Sequence, residues 1–122
     1  MSRILLVEDD ADVRPVVEHV LVSEGYEVDA AENLKDGVAL LNSRHYDLVL
    51  TDGRLPDGTG MALADLAEPK GIPALILTGY AFILRELAAD PGKYRVLLKP
   101  LRPAEITVAV ANALRGAEPN LT

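Results

Sequence analysis

Four short, mainly apolar runs, each followed by a polar residue, constrain the fold of this chain more than any other feature. The runs span residues 4–7, 46–51, 73–77 and 95–98, and the residues that follow them are Glu8, Asp52, Thr78 and Lys99. Continuous apolar runs of this length are typical of strands that are covered on both faces. Segments with helical spacing of apolar residues lie between the runs, so the sequence predicts alternating strands and helices.

The first helix is predicted to follow Asp12, because apolar residues recur there with the spacing of one helical face. These residues are Val13, Val16, Val17, Val20 and Leu21. Pro15 is comfortable only in a first turn, which makes Asp12 rather than Asp10 the predicted N-cap. Gly25 is predicted to end this helix as its C′ residue.

The remaining elements follow from the same two periodicities. Alternating polar and apolar residues at 26–30 predict a half-exposed strand at a sheet edge. Further helices are predicted from a cap at Asn33 to about Asn42, near residues 60–68, around residues 83–87, and from Pro103 to a stop at Gly116.

The order of these elements predicts an α/β fold with a parallel sheet, right-handed crossovers and helices on both faces. The 122 residues suit a single domain, with a core at about 3–115 and a flexible tail at 116–122. In such sheets ligands bind outside the carboxyl ends of the strands. The candidate site residues are therefore Glu8, Asp9, Asp10, Asp52, Thr78 and Lys99.

The composition narrows the classes of function. A net charge of −7 argues against a broad nucleic-acid surface, which requires clustered Lys and Arg. No apolar run approaches the roughly 20 residues of a membrane span. The chain has no Cys, which excludes disulfides and thiolate metal sites. We therefore expect a cytoplasmic protein with no nucleic-acid partner and no membrane association.

The candidate site residues suit phosphoryl chemistry. Several carboxylates at one place raise each other's pKa unless a cation lies among them, and hard oxygen ligands select Mg²⁺, Ca²⁺ or Mn²⁺. Asp52 can act as a carboxylate nucleophile that becomes an acyl phosphate. The Thr78 hydroxyl and the Lys99 ammonium both suit phosphate oxygens.

Each residue taken alone also has an ordinary structural explanation. Acidic residues at 8–10 are favourable at a helix N-terminus, and an Asp before Gly is common in turns. Asp57 competes with Asp52 for the nucleophile role, but its place in a Pro-Asp-Gly turn favours a turn role. His19 and His45 have no partner at ligand spacing and are predicted to be surface residues. Only the combination at four strand ends favours the functional interpretation.

The combined motifs resemble the response-regulator receiver domain, the CheY-like phosphoacceptor module of two-component signalling. The matching segments are residues 4–10, 47–52, 55–60, 76–79 and 98–100, in family order and at family-like spacing. The resemblance covers residues 3–115. It implies a flavodoxin-like, doubly wound (βα)5 fold with a five-stranded parallel sheet in the order 2-1-3-4-5.

The resemblance also implies a role for each matching residue. Asp52 would be the phosphorylated aspartate, Thr78 the switch hydroxyl and Lys99 the lysine that pairs with phosphate, with a cis bond to Pro100. The implied Mg²⁺ ligands are Glu8, Asp9, Asp52 and the backbone carbonyl of Arg54. Asp10 would lie outside this ligand set.

Two departures from the family pattern affect the predicted switch and the predicted phosphoryl lifetime. Val96 stands where the family often has Tyr or Phe, so coupling of phosphorylation to the surface would need Tyr94 or Tyr80 as a substitute. Arg54 and Tyr80 occupy positions that resemble the family's dephosphorylation tuners. Bulky side chains there would obstruct attacking water, which predicts slow autodephosphorylation.

The sequence therefore favours a stand-alone phosphoacceptor that a sensor histidine kinase or histidine phosphotransfer protein phosphorylates. Its output would be a protein-binding surface for an unidentified target, in a monomer or weak dimer. The alternative is an adaptor that partners recognise without phosphorylation. A turnover enzyme is not expected, because aspartate-nucleophile phosphatases need an acid two residues after the nucleophile and this chain has Arg54 there. The module would catalyse only its own phosphorylation and dephosphorylation.

Overall fold

A computed structural model describes residues 2–79, 94–100 and 102–116 of the chain. Five strands form the main sheet: β1 (Arg3–Val7), β2 (Glu27–Ala31), β3 (Leu48–Asp52), β4 (Ala74–Thr78) and β5 (Arg95–Leu98). The described helices are α1 (Val13–Ser23), α2 (Leu34–Ser43), α3 (Gly60–Ala67), a 3₁₀ turn at Glu68–Lys70, and α4 (Pro103–Leu114). Between β3 and α3, Arg54–Leu55 pairs with Gly58–Thr59 as a short antiparallel ribbon. The helix predicted around residues 83–87 and the tail at 117–122 lie outside the described residues.

The main sheet is parallel throughout, with the strand order β2-β1-β3-β4-β5. This result confirms the flavodoxin-like α/β fold and the order 2-1-3-4-5. The alternating strand at residues 26–30 is an edge strand as predicted, since β1 is the one described strand that pairs with β2 (Glu27–Ala31). None of the described helices is long and apolar enough to span a membrane.

Helices cover both faces of the sheet, which explains why its inner strands are continuously apolar. Ile4 and Leu6 of β1 point to the face that α1 and α4 cover, whereas Leu5 and Val7 point to the face of α2 and α3. All four side chains are fully buried. Successive residues of a strand point to opposite faces, so a strand between two helical layers has no exposed position for a polar residue.

Asp12 occupies the N-cap position of α1 as predicted, but its side chain does not cap the helix. Asp12 flanks the helix, yet its backbone is already helical and its carboxylate makes no capping hydrogen bond. A capping side chain needs extended backbone at its own residue, which Asp12 lacks. Instead, Asp10 Oδ1 accepts hydrogen bonds from the backbone N–H groups of Asp12 (2.8 Å) and Val13 (3.3 Å).

The other predicted helix ends agree closely with the structure. Asn33 caps α2, with its Oδ1 accepting the Asp36 N–H at 2.8 Å. Gly25 follows α1 with a φ of 91°, the left-handed conformation that favours glycine at C′. Gly116 follows α4 in the same way. The Lys99–Pro100 peptide bond is cis, as the family resemblance implied.

A buried tyrosine secures the start of β3 at the end of the sheet away from the strand carboxyl ends. Tyr46 is fully buried, and its hydroxyl donates to Asp29 Oδ2 at 2.8 Å. Arg44 lies 3.3 Å from the same oxygen. Burial of the phenol, followed by the hydrogen bond and charge of Asp29, raises the pKa of Tyr46. The hydroxyl therefore stays protonated and remains a donor.

Tyr46→Phe should lower the free energy of unfolding by about 1 kcal/mol, because one partly buried hydrogen bond is lost and Asp29 keeps Arg44 as a partner. Urea unfolding followed by circular dichroism measures the change. His45→Ala, at a neighbouring and highly exposed position, is the control and should leave the stability unchanged. Equal stability of Tyr46→Phe and the wild type would show that the hydroxyl contributes nothing.

Candidate functional site

The register of the parallel strands brings the predicted site residues together. Val7 of β1 pairs with Thr51 of β3, which puts the next residues, Glu8 and Asp52, side by side. Thr78 pairs with Leu98, so Lys99 follows directly at the end of β5. The backbone N–H of Lys99 also donates to the Thr78 carbonyl at 2.8 Å. Parallel strands all end at the same edge of the sheet, and this geometry gathers side chains that are up to 91 residues apart.

Lys99 connects the two carboxylates at the centre of the site. Its Nζ donates to Glu8 Oε1 at 2.8 Å and to Asp52 Oδ2 at 3.1 Å. Glu8 has no solvent exposure at all. Its second oxygen, Oε2, accepts the backbone N–H of Asp10 at 3.2 Å. These hydrogen bonds fix the positions of both carboxylates.

The pKa values of Glu8 and Lys99 are both raised in the folded protein. Burial raises the pKa of Glu8 to about 7, with a further increase from the neighbouring Asp52, although Lys99 acts in the opposite direction. Burial lowers the pKa of Lys99, but the hydrogen bonds and charges of Glu8 and Asp52 outweigh it and raise the pKa overall. Burial is thus the main cause for Glu8, whereas the two neighbouring carboxylates are the cause for Lys99.

An acidic cluster lies at this edge of the sheet. Oxygen atoms of Glu8, Asp9 and Asp52 lie within 4.8 Å of one another. Of the three, Glu8 is buried, Asp52 is half-buried and Asp9 is exposed. Carboxylate oxygens at this spacing, with access from solvent, match the donor set of a hard divalent cation such as Mg²⁺. The residues present therefore fit the metal that the sequence predicts.

The structure also shows where the other predicted residues lie. Asp10 is directed at the start of α1 rather than at the acidic cluster. Arg54 is exposed in the ribbon, and Thr78 is buried at the end of β4. The roles assigned to the Arg54 carbonyl and the Thr78 hydroxyl stay predictions.

Tyr94 is not placed to substitute for an aromatic residue at position 96. Val96 is half-buried opposite Ile76 in the sheet. The Tyr94 hydroxyl donates to Asp65 Oδ1 on α3 at 2.9 Å, at the end of β5 away from Lys99. Tyr80 lies outside the described residues.

Several contacts, near the site and at the opposite end of the sheet, were not predicted from the sequence. Arg14 donates to the Glu8 carbonyl at 2.8 Å, and His45 lies 3.6 Å from the Asp47 carboxylate although no partner was expected for it. Gly60 packs so closely on the strand that a Cβ there would overlap the Asp52 carbonyl oxygen. The Gly-rich composition of residues 53–60 is typical of a turn, but no sequence pattern identified the close approach of Gly60 to Asp52.

Comparisons with known proteins agree on one family. A family model described as "Response regulator receiver domain" matches residues 4–111. The chain is 34% identical over 121 residues to the transcriptional regulatory protein GlrR of Escherichia coli K12, covering 97% of this chain but 27% of GlrR. It is 32% identical to the KDP operon transcriptional regulatory protein KdpE of the same organism, of which it spans 52%. The chain thus spans only part of the curated relatives it matches.

Two solved structures show the same fold. The CheY-like receiver domain protein from Methanospirillum hungatei JF-1 gives a TM-score of 0.84 at 28% identity, with 95% of each chain covered. The response regulator protein TrrA from Thermotoga maritima, solved in complex with Mg²⁺ and BeF, gives a TM-score of 0.80 at 29% identity. That alignment covers 93% of this chain and 99% of TrrA.

The pKa of Glu8 leads to a prediction for the metal-free protein. A carboxyl group whose folded pKa is raised, here from 4.5 to about 7, stabilises the fold when it is protonated. That stabilisation is complete below the unfolded pKa and is lost as the pH rises through the folded pKa. In EDTA, the free energy of unfolding should therefore fall between about pH 5 and about pH 8.

Glu8→Gln should flatten this pH dependence, because the amide does not titrate. Urea unfolding at a series of pH values measures the effect, with Glu18→Gln on α1 as the control that keeps the wild-type slope. A wild-type slope that Glu8→Gln leaves intact would contradict the assignment.

Proposed function

The chain belongs to the response regulator receiver domain family, and on this basis we propose that it is a phosphoacceptor in two-component signalling. In this proposal, Asp52 accepts a phosphoryl group from a phosphohistidine donor with Mg²⁺. One observation carries it: Glu8, Asp9 and Asp52 converge at the carboxyl ends of parallel strands, with Lys99 bonded to two of them.

The proposed ligands of Mg²⁺ are carboxylate oxygens of Glu8, Asp9 and Asp52 together with the Arg54 carbonyl. When bound, the ion neutralises the charge of the phosphoryl oxygens and draws the donor to the site. Lys99 orients the Asp52 carboxylate through its hydrogen bond to Oδ2. The neighbouring Glu8 is fully shielded from solvent. The residues of the chain thus hold the nucleophile in one position before the donor arrives.

Transfer joins an Asp52 carboxylate oxygen to phosphorus and breaks the bond between phosphorus and the histidine nitrogen. The electron pair of the broken bond returns to the imidazole of the donor, and Asp52 becomes an acyl phosphate. Lys99 already lies against the Asp52 carboxylate and can pair with a new phosphoryl oxygen. Thr78, at the end of the neighbouring strand, is the proposed second donor.

The proposed partners are a sensor histidine kinase or histidine phosphotransfer protein and a downstream protein target. We propose no turnover beyond phosphorylation and dephosphorylation of the module itself. The relatives GlrR and KdpE are named as transcriptional regulators, and the chain spans only part of each. The cytoplasmic location, the monomeric or weakly dimeric state and the absence of nucleic-acid binding stay predictions for this chain.

A binding-only adaptor is the second candidate, and Val96 is the observation that favours it. Val96 is half-buried and aliphatic, so this position in β5 has no aromatic ring that could couple a change at Thr78 to the protein surface. Binding of the partner by Asp52→Ala as tightly as by the phosphorylated wild type would support the adaptor. Dependence of binding on phosphorylation would exclude it.

Acetyl phosphate with Mg²⁺ should phosphorylate the protein once, and intact-mass spectrometry measures the product. Asp52→Asn should abolish the modification, because an amide side chain is far less nucleophilic than a carboxylate. Asp36→Asn, on the exposed face of α2, is the matched control and should be modified like the wild type. No modification of the wild type, or modification that survives Asp52→Asn, would refute the proposed function.

Arg54 and Tyr80 lead to a separate prediction about the lifetime of the acyl phosphate. We propose that their bulky side chains obstruct attacking water and slow autodephosphorylation. The double variant Arg54→Ala, Tyr80→Ala should therefore lose its phosphoryl group faster than the wild type, by about tenfold for each roughly 1.4 kcal/mol removed from the barrier. Decay of the phosphorylated mass after removal of acetyl phosphate gives the rate. An unchanged lifetime would contradict obstruction by these residues.

A further inference from the structure

Asp57, in the turn after Asp52, accepts hydrogen bonds from the start of α2. Asp57 Oδ1 accepts the backbone N–H of Leu34 at 2.7 Å, and its Oδ2 accepts that of Lys35 at 2.9 Å. These N–H groups open α2 and have no partner within the helix. Their hydrogen bonds lower the pKa of Asp57, so the carboxylate stays ionised. Asp57 therefore caps a helix that lies 22 residues earlier in the chain.

Backbone packing strengthens the same connection. A Cβ added to Gly58 would lie 2.5 Å from Leu34 Cδ2, so the turn rests directly on the first side chain of α2. At the other end of the loop, the Gly60 N–H donates to the Gly53 carbonyl at 2.9 Å. Residues 53–60 thus form a closed loop with its base at Asp52 and its tip attached to α2.

The helix that Asp57 holds is itself connected to the acidic residues of β1. The Glu8 N–H donates at 3.0 Å to the carbonyl of Ala31, the last residue of β2, just before the α2 cap. A cavity of about 330 Å³ lies between this loop and the residues that follow β1 and β2. It is lined by Asp9, Glu32, Asn33, Pro56 and Asp57.

We propose that Asp57 is a positioning residue for the cation site, because its bonds to α2 fix the loop that follows Asp52 relative to Glu8 and Asp9. The proposal rests on the proposed function, in which this loop supplies the Arg54 carbonyl and begins directly after Asp52. In this proposal Asp57 is a ligand of neither the cation nor the phosphoryl group. It acts by limiting the movement of the residues that do.

Asn33 provides a matched control. It caps the same helix through the Asp36 N–H but makes no hydrogen bond to the loop. Asp57→Ala and Asn33→Ala each remove capping hydrogen bonds from α2, and both should lower the melting temperature. Of the two variants, Asp57→Ala is the one that removes the hydrogen bonds between the loop and the helix. Mg²⁺ affinity of the full chain, measured by calorimetry, should fall about tenfold in Asp57→Ala and stay near the wild-type value in Asn33→Ala.

Asp57→Asn separates positioning from simple loss of charge. The amide keeps one acceptor oxygen for α2 but is neutral, so positioning predicts a smaller loss of affinity than in Asp57→Ala. Equal losses in the two Asp57 variants would assign the effect to charge and overturn the proposal. Equal affinities of Asp57→Ala, Asn33→Ala and the wild type would overturn it as well.

Amide hydrogen exchange tests the connection without any metal. In EDTA, residues 53–60 should exchange faster in Asp57→Ala than in the wild type or in Asn33→Ala. Unchanged exchange in that segment would refute the positioning role even if the wild type binds Mg²⁺. Conversely, a wild type that binds no Mg²⁺ and takes no phosphoryl group would refute the proposed function, while faster exchange would still establish the loop attachment.

Discussion

The Lys99 ammonium is the interaction on which the rest of the site depends. It bonds to Glu8 and Asp52 where strands β1, β3 and β5 end, in a cluster that holds three carboxylates. Without it, burial of Glu8 beside Asp52 would be costly, since like charges at short range disfavour ionisation. One cation does not balance three anions. The remaining negative charge is what makes the site suited to a divalent ion and then to the phosphoryl oxygens that such an ion attracts.

The backbone around Asp52 is as specific as the side chains. Gly53 donates to the Leu77 carbonyl at 2.8 Å and accepts from Gly60, which closes the loop immediately after Asp52. No side chain is possible at Gly60 without displacing the Asp52 carbonyl. The backbone at Asp52 is therefore fixed by its strand and its loop, and the carboxylate is held by Lys99. Preorganisation of this kind lowers the reorganisation that the proposed phosphoryl transfer would otherwise require.

Much of this architecture could be predicted from local patterns. Apolar runs predicted the inner strands, alternating polarity predicted the edge strand β2, and Asn33 predicted the start of α2. Each of these features depends on residues that are close in sequence. The cap of α1 could not be predicted in the same way. Asp10 and Asp12 have the same chemistry, and the choice between them depends on the backbone conformation at Asp12, which no residue type specifies.

The sequence by itself determined which chemical groups end the strands, and with them the acidic cluster and its lysine. Only the tertiary structure decided how those groups meet. The register of β1, β3, β4 and β5 sets the distances from Lys99 to Glu8 and Asp52, and the fold of residues 53–60 brings Asp57 to the N–H groups of α2. The physical reason is that these contacts join residues 22 to 91 positions apart, and local sequence patterns carry no information on such distances.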